Sequence, residues 1–341
     1  MYIVRPVETR DIPSLAELAA GLTHGVHTMA KTPEAIERVV EHSLRSFSSQ
    51  VDIPSEEYYL FVLENTADSR LVGSAAIAAT AGSKGTFFSF RNDAIQQVSR
   101  DLNISHSVHA LSLCADLTSY SQLLSFFVRR DHHTQPEATL LSRARLMYAA
   151  LKPERFSDNF FVSLAGYTDP QGRSPFWEAL GKKFFQMDFL KAEQLVDGAR
   201  NRTMIVELMP HYPVYVPLLP GEAQAAMGQV HPESEVPFRI LADEGFAPDD
   251  FIDIFDGGPI LQANKHALNS FINGMKLPVD IVASDKMPHG GQVCLVASDT
   301  QFRALLTRSP VLQHGRQIRL SQAQSDALNV SQGDSVLCVP W

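Results

Sequence analysis

The segment 108–151 (VHALSLCADLTSYSQLLSFFVRRDHHTQPEATLLSRARLMYAAL) constrains the fold of this chain more than any other part of the sequence. Two short apolar runs separated by a polar stretch predict two β-strands, and the longer run that follows has the apolar spacing of a helix. The buried stripe of this helix is formed by Leu140, Leu141, Ala144, Met147 and Tyr148. The segment therefore predicts strand, polar loop, strand, short loop and helix.

Strands and helices also alternate before this segment. MYIVRPV predicts a first strand, and TRDIPSLAELAAG predicts a helix with Asp11 as N-cap, Pro13 in the first turn and Gly21 as its stop. PEAIERVVEHSLRSF has the period of a second amphipathic helix. The two apolar runs of 58–82, joined by a polar turn, predict a hairpin that enters a core sheet.

The part that follows the long helix continues this alternation. FSDNFFVSLAGYTD predicts a strand, and SPFWEALGKKFF predicts a helix with Ser174 as N-cap. Residues 203–219 predict a strand and then a rigid, proline-rich extended loop. EVPFRILADEGFAPDDFIDIFDGGP predicts a helix, a glycine stop and a strand in which the residues of FIDIFD alternate between two faces.

The sequence divides into a large part and a small one. From about Leu277 the chain has short β-like runs, turns and one short helix (SQAQSDALNV), which predicts a small β-rich C-terminal module over residues 275–341. Residues 1–262 form the larger predicted domain. The expected fold class is α+β, with a mixed sheet flanked by helices.

Composition excludes several other classes of protein. The chain has 341 residues, 45% of them hydrophobic, and no apolar stretch reaches the roughly 20 residues of a membrane span. A signal peptide's apolar block is missing from its N-terminus, so a cytoplasmic location is expected. The net charge of −9 argues against general affinity for nucleic acid or an anionic membrane. The three cysteines have neither metal-ligand spacing nor the even count of a disulfide framework.

The order of elements resembles the superfamily of GCN5-related N-acyltransferases. More specific blocks resemble the arginine N-succinyltransferase family, and they stand in that family's order and spacing: SRARLMYAA, GRSPFWEALGKKFF, ELMPHYPVYVPLLP, GQVHPES and FIDIFDGGP. The resemblance covers essentially the whole chain and is closer to the alpha-type chain than to the beta-type chain. It identifies residues 1–262 as an acyltransferase-like domain.

The resemblance implies transfer of a succinyl group from succinyl-CoA to the α-amine of L-arginine or L-ornithine, the first step of arginine catabolism by the succinyl pathway. It implies no cofactor beyond succinyl-CoA as co-substrate, no metal, and either a homologous beta-type subunit or a homo-oligomer as partner. A direct attack of the amine on the thioester requires that the site remove an ammonium proton, stabilise an oxyanion and protonate the departing thiolate.

The resemblance also assigns residues. His231, in GQVHPES, matches the family's proton-donating histidine, although a histidine before Pro232 that only caps a loop is the alternative. Phe126 falls where the family contacts succinyl-CoA, through a strand edge that can pair with the pantetheine amides. The alternative for Phe126 is a core aromatic side chain.

The loop before the long helix departs from the superfamily's phosphate-binding pattern. In HTQPEA, Ala138 keeps the last small position, but Pro136 replaces the first glycine and Glu137 adds a negative charge. Arg129 and Arg130, followed by His132 and His133, can supply cationic contacts to phosphates. The alternative is a weakly active or inactive subunit that stabilises or regulates a homologous chain.

Carboxylates and one arginine are the candidates for the substrate's charged groups. Asp253 and Asp256 can pair with a guanidinium, or Asp256 can instead cap the bend at Gly257–Pro259. Arg91 is the candidate for the succinyl carboxylate. The same fold with another amine or another acyl donor remains a third possibility, because pocket specificity depends on a few side chains that sequence does not place.

Overall fold

A computed structural model describes residues 1–23, 25, 26, 29–83, 85–129, 135–196, 207–283, 287, 290–309 and 316–341. Over these residues the chain forms one continuous sheet of 15 strands with helices on its faces. The strands are β1 Tyr2–Pro6, β2 Tyr58–Asn65, β3 Arg70–Ala78, β4 Ser89–Ser99, β5 Ile104–Cys114, β6 Ser121–Val128, β7 Asn159–Ser163, β8 Val214–Tyr215, β9 Ala247–Ile252, β10 Pro259–Asn264, β11 Met275–Val282, β12 Gln292–Ser298, β13 Arg303–Ser309, β14 Ile318–Ser321 and β15 Ser335–Pro340.

The helices are α1 Ile12–Ala19, α2 Pro33–Ser48, α3 Gln135–Leu151, α4 Pro175–Ala179, α5 Gly181–Phe185, α6 Phe189–Val196, α7 Gly221–Ala226, α8 Glu235–Glu244, α9 Asn269–Ile272 and α10 Gln322–Leu328. The strand order across the sheet is β14-β11-β15-β12-β13-β1-β2-β3-β6-β7-β10-β9-β4-β5-β8. All described neighbours are antiparallel except β11 with β14 and β6 with β7. The expected class, a mixed sheet flanked by helices with a strand-rich C-terminal part, is confirmed.

Alternation along β2 builds a core on both faces of the sheet. Leu60 and Val62 pack with α1 and α2, whereas Tyr59, Phe61 and Leu63 lie in the cluster formed with α3 and α8. Successive side chains of a strand point to opposite faces, so a continuous apolar run is the sequence signature of a strand buried on both sides. The predicted hairpin of β2 and β3 is therefore the centre of the sheet.

The last five strands extend the same sheet. β13 pairs with β1 at Ala304 and Val4, and the β12–β13 hairpin brings β15 and β11 alongside. Arg143 of α3 also donates from Nη1 to the carbonyl oxygen of Pro340, at 3.1 Å. The strand-rich C-terminal part is thus joined to the larger part by backbone pairing and by α3.

Two local predictions were wrong, and one strand was missed. The strand predicted for FIDIFD ends at Ile252, because Asp253 Oδ1 accepts the N–H of Phe255 and turns the chain. The helix predicted for SPFWEALGKKFF is two short helices, divided at Leu180. β4 was not predicted at all, and it pairs with β5 along its whole length. Residues 203–206, where the strand predicted within 203–219 would begin, lie outside the described residues.

Candidate active site

A cavity of about 430 Å³ lies where β6 and β7 part. The two parallel strands are paired only from Ser121 to Leu123 and from Phe160 to Val162. Beyond that point Leu124–Val128 and Ser163–Ala165 line opposite walls, and the other walls come from α3, α8 and the 3₁₀ turn Pro232–Ser234. Strands that diverge no longer pair with each other, and an extended ligand can pair with the edge of such a strand.

A kink in β6 shapes one of these edges. Ser125 has a φ of 54°, in the left-handed region, and the register of β3 with β6 shifts between Ser74 and Ala76. The Ser125 hydroxyl is hydrogen-bonded to Tyr58 Oη at 2.8 Å. A buried non-glycine residue in this conformation is uncommon, and such backbone is concentrated at functional sites. The next residue is Phe126, half-buried on the cavity wall.

His231 is fixed at the end of β7 by backbone bonds. Its N–H donates to the Ala165 carbonyl oxygen at 2.8 Å, and Gly166 and Val230 form a β-bridge beside it. Its Nδ1 accepts the N–H of Glu233 at 3.2 Å, which caps the 3₁₀ turn. The neutral ring therefore carries its proton on Nε2, and the Nδ1 side is occupied. Burial lowers the pKa of His231 below its ordinary value of 6.5, and the nearby Glu233 opposes this.

The amino end of α3 lies next to β6 along the chain. Ala138 is fully buried in the first turns of α3, and Pro136 stands in the first turn, where a missing N–H costs least. Arg129 donates its backbone N–H to the Val72 carbonyl oxygen at 2.8 Å. Arg130, His132 and His133 lie outside the described residues.

Asp253 and Asp256 are both buried in the bend after β9. Asp256 Oδ2 accepts the N–H of Gly166 and its Oδ1 accepts that of Gly258, at 2.7 and 2.8 Å. Burial first, and then the Asp253 carboxylate, raise the pKa of Asp256. This is the bend-capping arrangement given as the alternative for Asp256, and it also supports the segment to which His231 is bonded.

Asp253 differs from Asp256 because it is one hydrogen bond from the cavity. Its Oδ2 accepts from Ser163 Oγ at 2.9 Å, and Ser163 lines the cavity wall. Glu233, whose carboxylate accepts from Thr23 Oγ1 at 2.9 Å, lines the cavity as well. Two carboxylates therefore stand at or beside the cavity, and they suit a cationic substrate.

Arg91 lies apart from this cavity. It is on β4, three strands from β7 in the sheet, which corresponds to about 14 Å at the usual strand spacing. Its Nε donates to Asp93 at 2.7 Å and its Nη1 to Asp116 at 2.9 Å. The hydrogen bond and charge of Asp93 raise the pKa of Arg91. The guanidinium of Arg91 is therefore paired with Asp93 and Asp116, and it does not lie beside His231 or Phe126.

Arg145 is the cavity residue that sequence reasoning missed. It lies on α3, is 2% exposed, and lines the cavity together with Ser142. The signal was available, because Arg145 falls four residues after Leu141 and three before Tyr148, on the face predicted to be buried. A charged residue in the middle of an apolar helix face is unusual and indicates a specific binding or structural role.

The described part of the chain was searched for metal sites and for membrane-spanning helices. In it, no group of three or more His, Cys, Asp or Glu side chains is placed to hold a metal ion. Likewise, none of the described helices has the length and apolar character needed to cross a membrane.

Comparison with known proteins gives one consistent family. A family model described as arginine N-succinyltransferase beta subunit matches residues 2–270, and the model for the C-terminal domain of that subunit matches residues 276–340. Arginine N-succinyltransferase subunit alpha of Pseudomonas aeruginosa is 43% identical, with 99% of both chains covered. An arginine N-succinyltransferase of Yersinia pseudotuberculosis is 36% identical over 99% of this chain and 97% of its own.

The structure agrees with these sequence matches. The solved structure of arginine/ornithine succinyltransferase subunit AI from Pseudomonas aeruginosa superposes with a TM-score of 0.89 at 40% identity, covering 100% of this chain and 98% of that one. The cavity, the histidine segment and the family matches over the whole length lead to one conclusion, that the chain belongs to the arginine N-succinyltransferase family.

Proposed function

We propose that this chain transfers the succinyl group of succinyl-CoA to the α-amine of L-arginine or L-ornithine, the first step of arginine catabolism by the succinyl pathway. The observation that carries the proposal is the cavity between the diverging strands β6 and β7, with His231 fixed at the end of β7. Full-length relatives named for arginine N-succinyltransferase activity support the same reaction. The direct transfer needs no cofactor beyond the co-substrate.

The donor lies along β6. Backbone groups around Phe126 pair with the amides of the pantetheine arm, as an added strand would. The amino end of α3, with Ala138 packed in the core, takes the pyrophosphate through the N–H groups of its first turn and its positive dipole end. Arg129 adds a cationic contact to the phosphates.

The proton chemistry belongs to His231. Because Nδ1 accepts the Glu233 N–H, Nε2 carries a proton in both the neutral and the cationic ring. The neutral ring can donate a hydrogen bond from Nε2 to the departing thiolate sulfur. The cationic ring can deliver its Nε2 proton to that sulfur, and in that case Nδ1 keeps the remaining proton and no longer accepts the Glu233 N–H. Burial makes the cationic ring a stronger acid, because it lowers the pKa.

The acceptor's cationic side chain is recognised by carboxylates. Asp253, held by Ser163 at the cavity wall, is the proposed partner of the guanidinium. Changing Asp253 to Asn should raise the KM for arginine far more than the KM for succinyl-CoA, because only the acceptor carries the cation. Equal changes in the two KM values would remove Asp253 from the acceptor site.

A second candidate function is that of a weakly active subunit that stabilises or regulates a homologous chain. Pro136 and Glu137 in the first turn of α3 favour it, since one offers no N–H and the other adds negative charge near the proposed phosphates. Exposed apolar side chains at the end of the β4–β5 hairpin, Val98, Leu102 and Ile104, support association with another chain.

Thiol release by the purified chain tests both candidates. Succinyl-CoA and arginine are supplied, release of free CoA is followed, and N2-succinylarginine is identified by mass. Turnover by the chain alone supports the first proposal. No turnover alone, with turnover restored by a homologous beta-type subunit, supports the second. Light scattering of the same sample reports whether the chain associates with itself.

A further inference from the structure

Three arginines are buried among the described residues, and two of them have carboxylate partners. Arg5 is paired with Asp11 and Glu64, and Arg143 is paired with Glu244. Arg145 has hydrogen bonds only to neutral oxygens: the carbonyls of Ala76, Leu124 and Ser142, and the Ser142 hydroxyl. Within the described chain, Arg145 is thus the buried arginine without an anionic partner.

A buried cation without a counter-charge is costly. Carbonyl oxygens satisfy N–H groups but do not neutralise the net charge, and an unpaired ion in a protein interior is strongly disfavoured. Burial lowers the pKa of Arg145 to about 9, so the guanidinium remains cationic near neutral pH. Since Arg145 lines the cavity, its missing counter-charge can be supplied by a ligand.

The geometry leaves donors for such a ligand. The four hydrogen bonds use four of the five N–H groups of Arg145, and the remaining one is on Nη2. Nη2 already donates to Ser142 Oγ at 3.0 Å, and that hydroxyl keeps its own proton to donate. Ser142 and Arg145 are three residues apart on one face of α3, so both donors can reach one carboxylate. The guanidinium also lies 5.5 Å from the centroid of the Phe126 ring, on the proposed donor strand.

We propose that Arg145, assisted by Ser142, binds the terminal carboxylate of the succinyl group and so selects a dicarboxylic acyl donor. The phosphates of CoA are an unsuitable counter-charge, because Arg145 is ten residues into α3, about 15 Å along the helix axis from its amino end. The inference rests on the proposed function. It replaces Arg91 as the partner of the succinyl carboxylate.

The test compares succinyl-CoA with butyryl-CoA, which has the same chain length and no carboxylate. Wild type should use succinyl-CoA with a kcat/KM about 10- to 100-fold above that for butyryl-CoA, as expected for hydrogen bonds to a charged group. Arg145→Gln should lose most of this ratio, because only succinyl-CoA has the carboxylate that Arg145 is proposed to bind. Ser142→Ala, which is compatible with the helix, should reduce the ratio by a smaller factor, about 3- to 10-fold.

Arg143→Gln is the matched control, because Arg143 is a buried arginine of the same helix whose partner is Glu244. Arg143→Gln should change the kcat/KM for succinyl-CoA and for butyryl-CoA by the same factor. If Arg145→Gln lowers activity with both donors equally, Arg145 only holds the backbone of β3 and β6, and the proposal is wrong. A rise in the KM for arginine with an unchanged donor ratio would mean that the carboxylate belongs to the acceptor, which also overturns it.

Calorimetric titration separates failure of this inference from failure of the proposed function. If the purified chain transfers no succinyl group, succinyl-CoA and butyryl-CoA can still be titrated into it. Tighter binding of succinyl-CoA, lost in Arg145→Gln and kept in Arg143→Gln, supports the carboxylate site even then. Equal binding of the two donors by wild type overturns it, whether or not the chain folds with Gln at position 145.

Discussion

His231 has a structural and a proposed chemical task, and substitution can separate them. Its Nδ1 accepts the N–H of Glu233 at 3.2 Å and caps the turn that leads into α8, while Nε2 is the proposed proton donor. His231→Asn keeps an acceptor at a position where asparagine is among the best caps, but it cannot transfer a proton. His231→Ala removes both functions.

The two variants should agree in activity and differ in stability. We expect kcat to fall by about 100-fold or more in both, since a positioned general acid or base contributes roughly 10²- to 10⁴-fold. His231→Ala should also lose about 1 kcal/mol of unfolding free energy, the usual worth of an N-cap, whereas His231→Asn should stay within about 0.5 kcal/mol of wild type.

Urea unfolding at about pH 8 and steady-state thiol release measure the two effects. At that pH the ring is neutral in both the folded and the unfolded chain, because burial lowers the pKa of His231 from 6.5. Protonation therefore does not contribute to the difference in stability. If His231→Asn keeps more than about a tenth of the wild-type kcat, His231 is a cap and not the proton donor.

Three further predictions concern the scaffold of the site. Burial and a neighbouring carboxylate raise the pKa of Asp256 above 3.8, so the folded chain holds this proton more tightly than the unfolded chain does, and the unfolding free energy falls as the pH rises above about 4. Asp256→Asn should flatten this pH dependence, as measured by urea unfolding at several pH values. An unchanged pH dependence would contradict the reasoning. Glu244→Gln leaves the buried Arg143 unpaired and should lower the unfolding free energy by about 3–5 kcal/mol in the same assay. Glu178→Gln, in a half-exposed pair with Lys182, should change it far less. A Cβ on Gly181 would lie 2.2 Å from the indole ring of Trp177, so Gly181→Ala should lower the unfolding free energy by about 1–3 kcal/mol. Gly221→Ala should be tolerated, because a Cβ there has no atom within 4 Å. Equal losses of unfolding free energy in the two variants would exclude the clash.

Much of the fold could be predicted because its signals are local. The helix stripe at Ile36, Val39 and Val40 is buried against the sheet, as its spacing indicates. Ser174 caps its helix by accepting the N–H of Trp177 at 3.2 Å, which a short polar side chain before a proline makes possible. Asp11 shows the limit of such signals. It stands at the predicted N-cap position, but its carboxylate accepts from Arg5 and from the N–H of Glu8, so it does not cap α1.

In the candidate site, too, some residues could be predicted from the sequence and others could not. His231 came from one of the family's contiguous blocks, and Phe126 came from its position on a predicted strand that the resemblance assigns to succinyl-CoA. The structure places both at or beside one cavity. Arg91 was chosen only for its charge, and charge alone does not predict which carboxylates will lie nearest. Asp93 is two residues away on the same strand, and Asp116 is brought close by the β4–β5 hairpin.

The sequence by itself determined the succession of strands and helices and the family of the chain, because periodicity, caps and contiguous blocks are properties of neighbours along the backbone. The tertiary structure alone decided which charges are paired. Arg143 and Arg145 are two residues apart on one helix, yet Glu244 neutralises the first and only neutral oxygens surround the second. For these two buried arginines, residues distant in sequence decide whether a counter-charge is present, because long-range packing sets which groups share a low-dielectric interior.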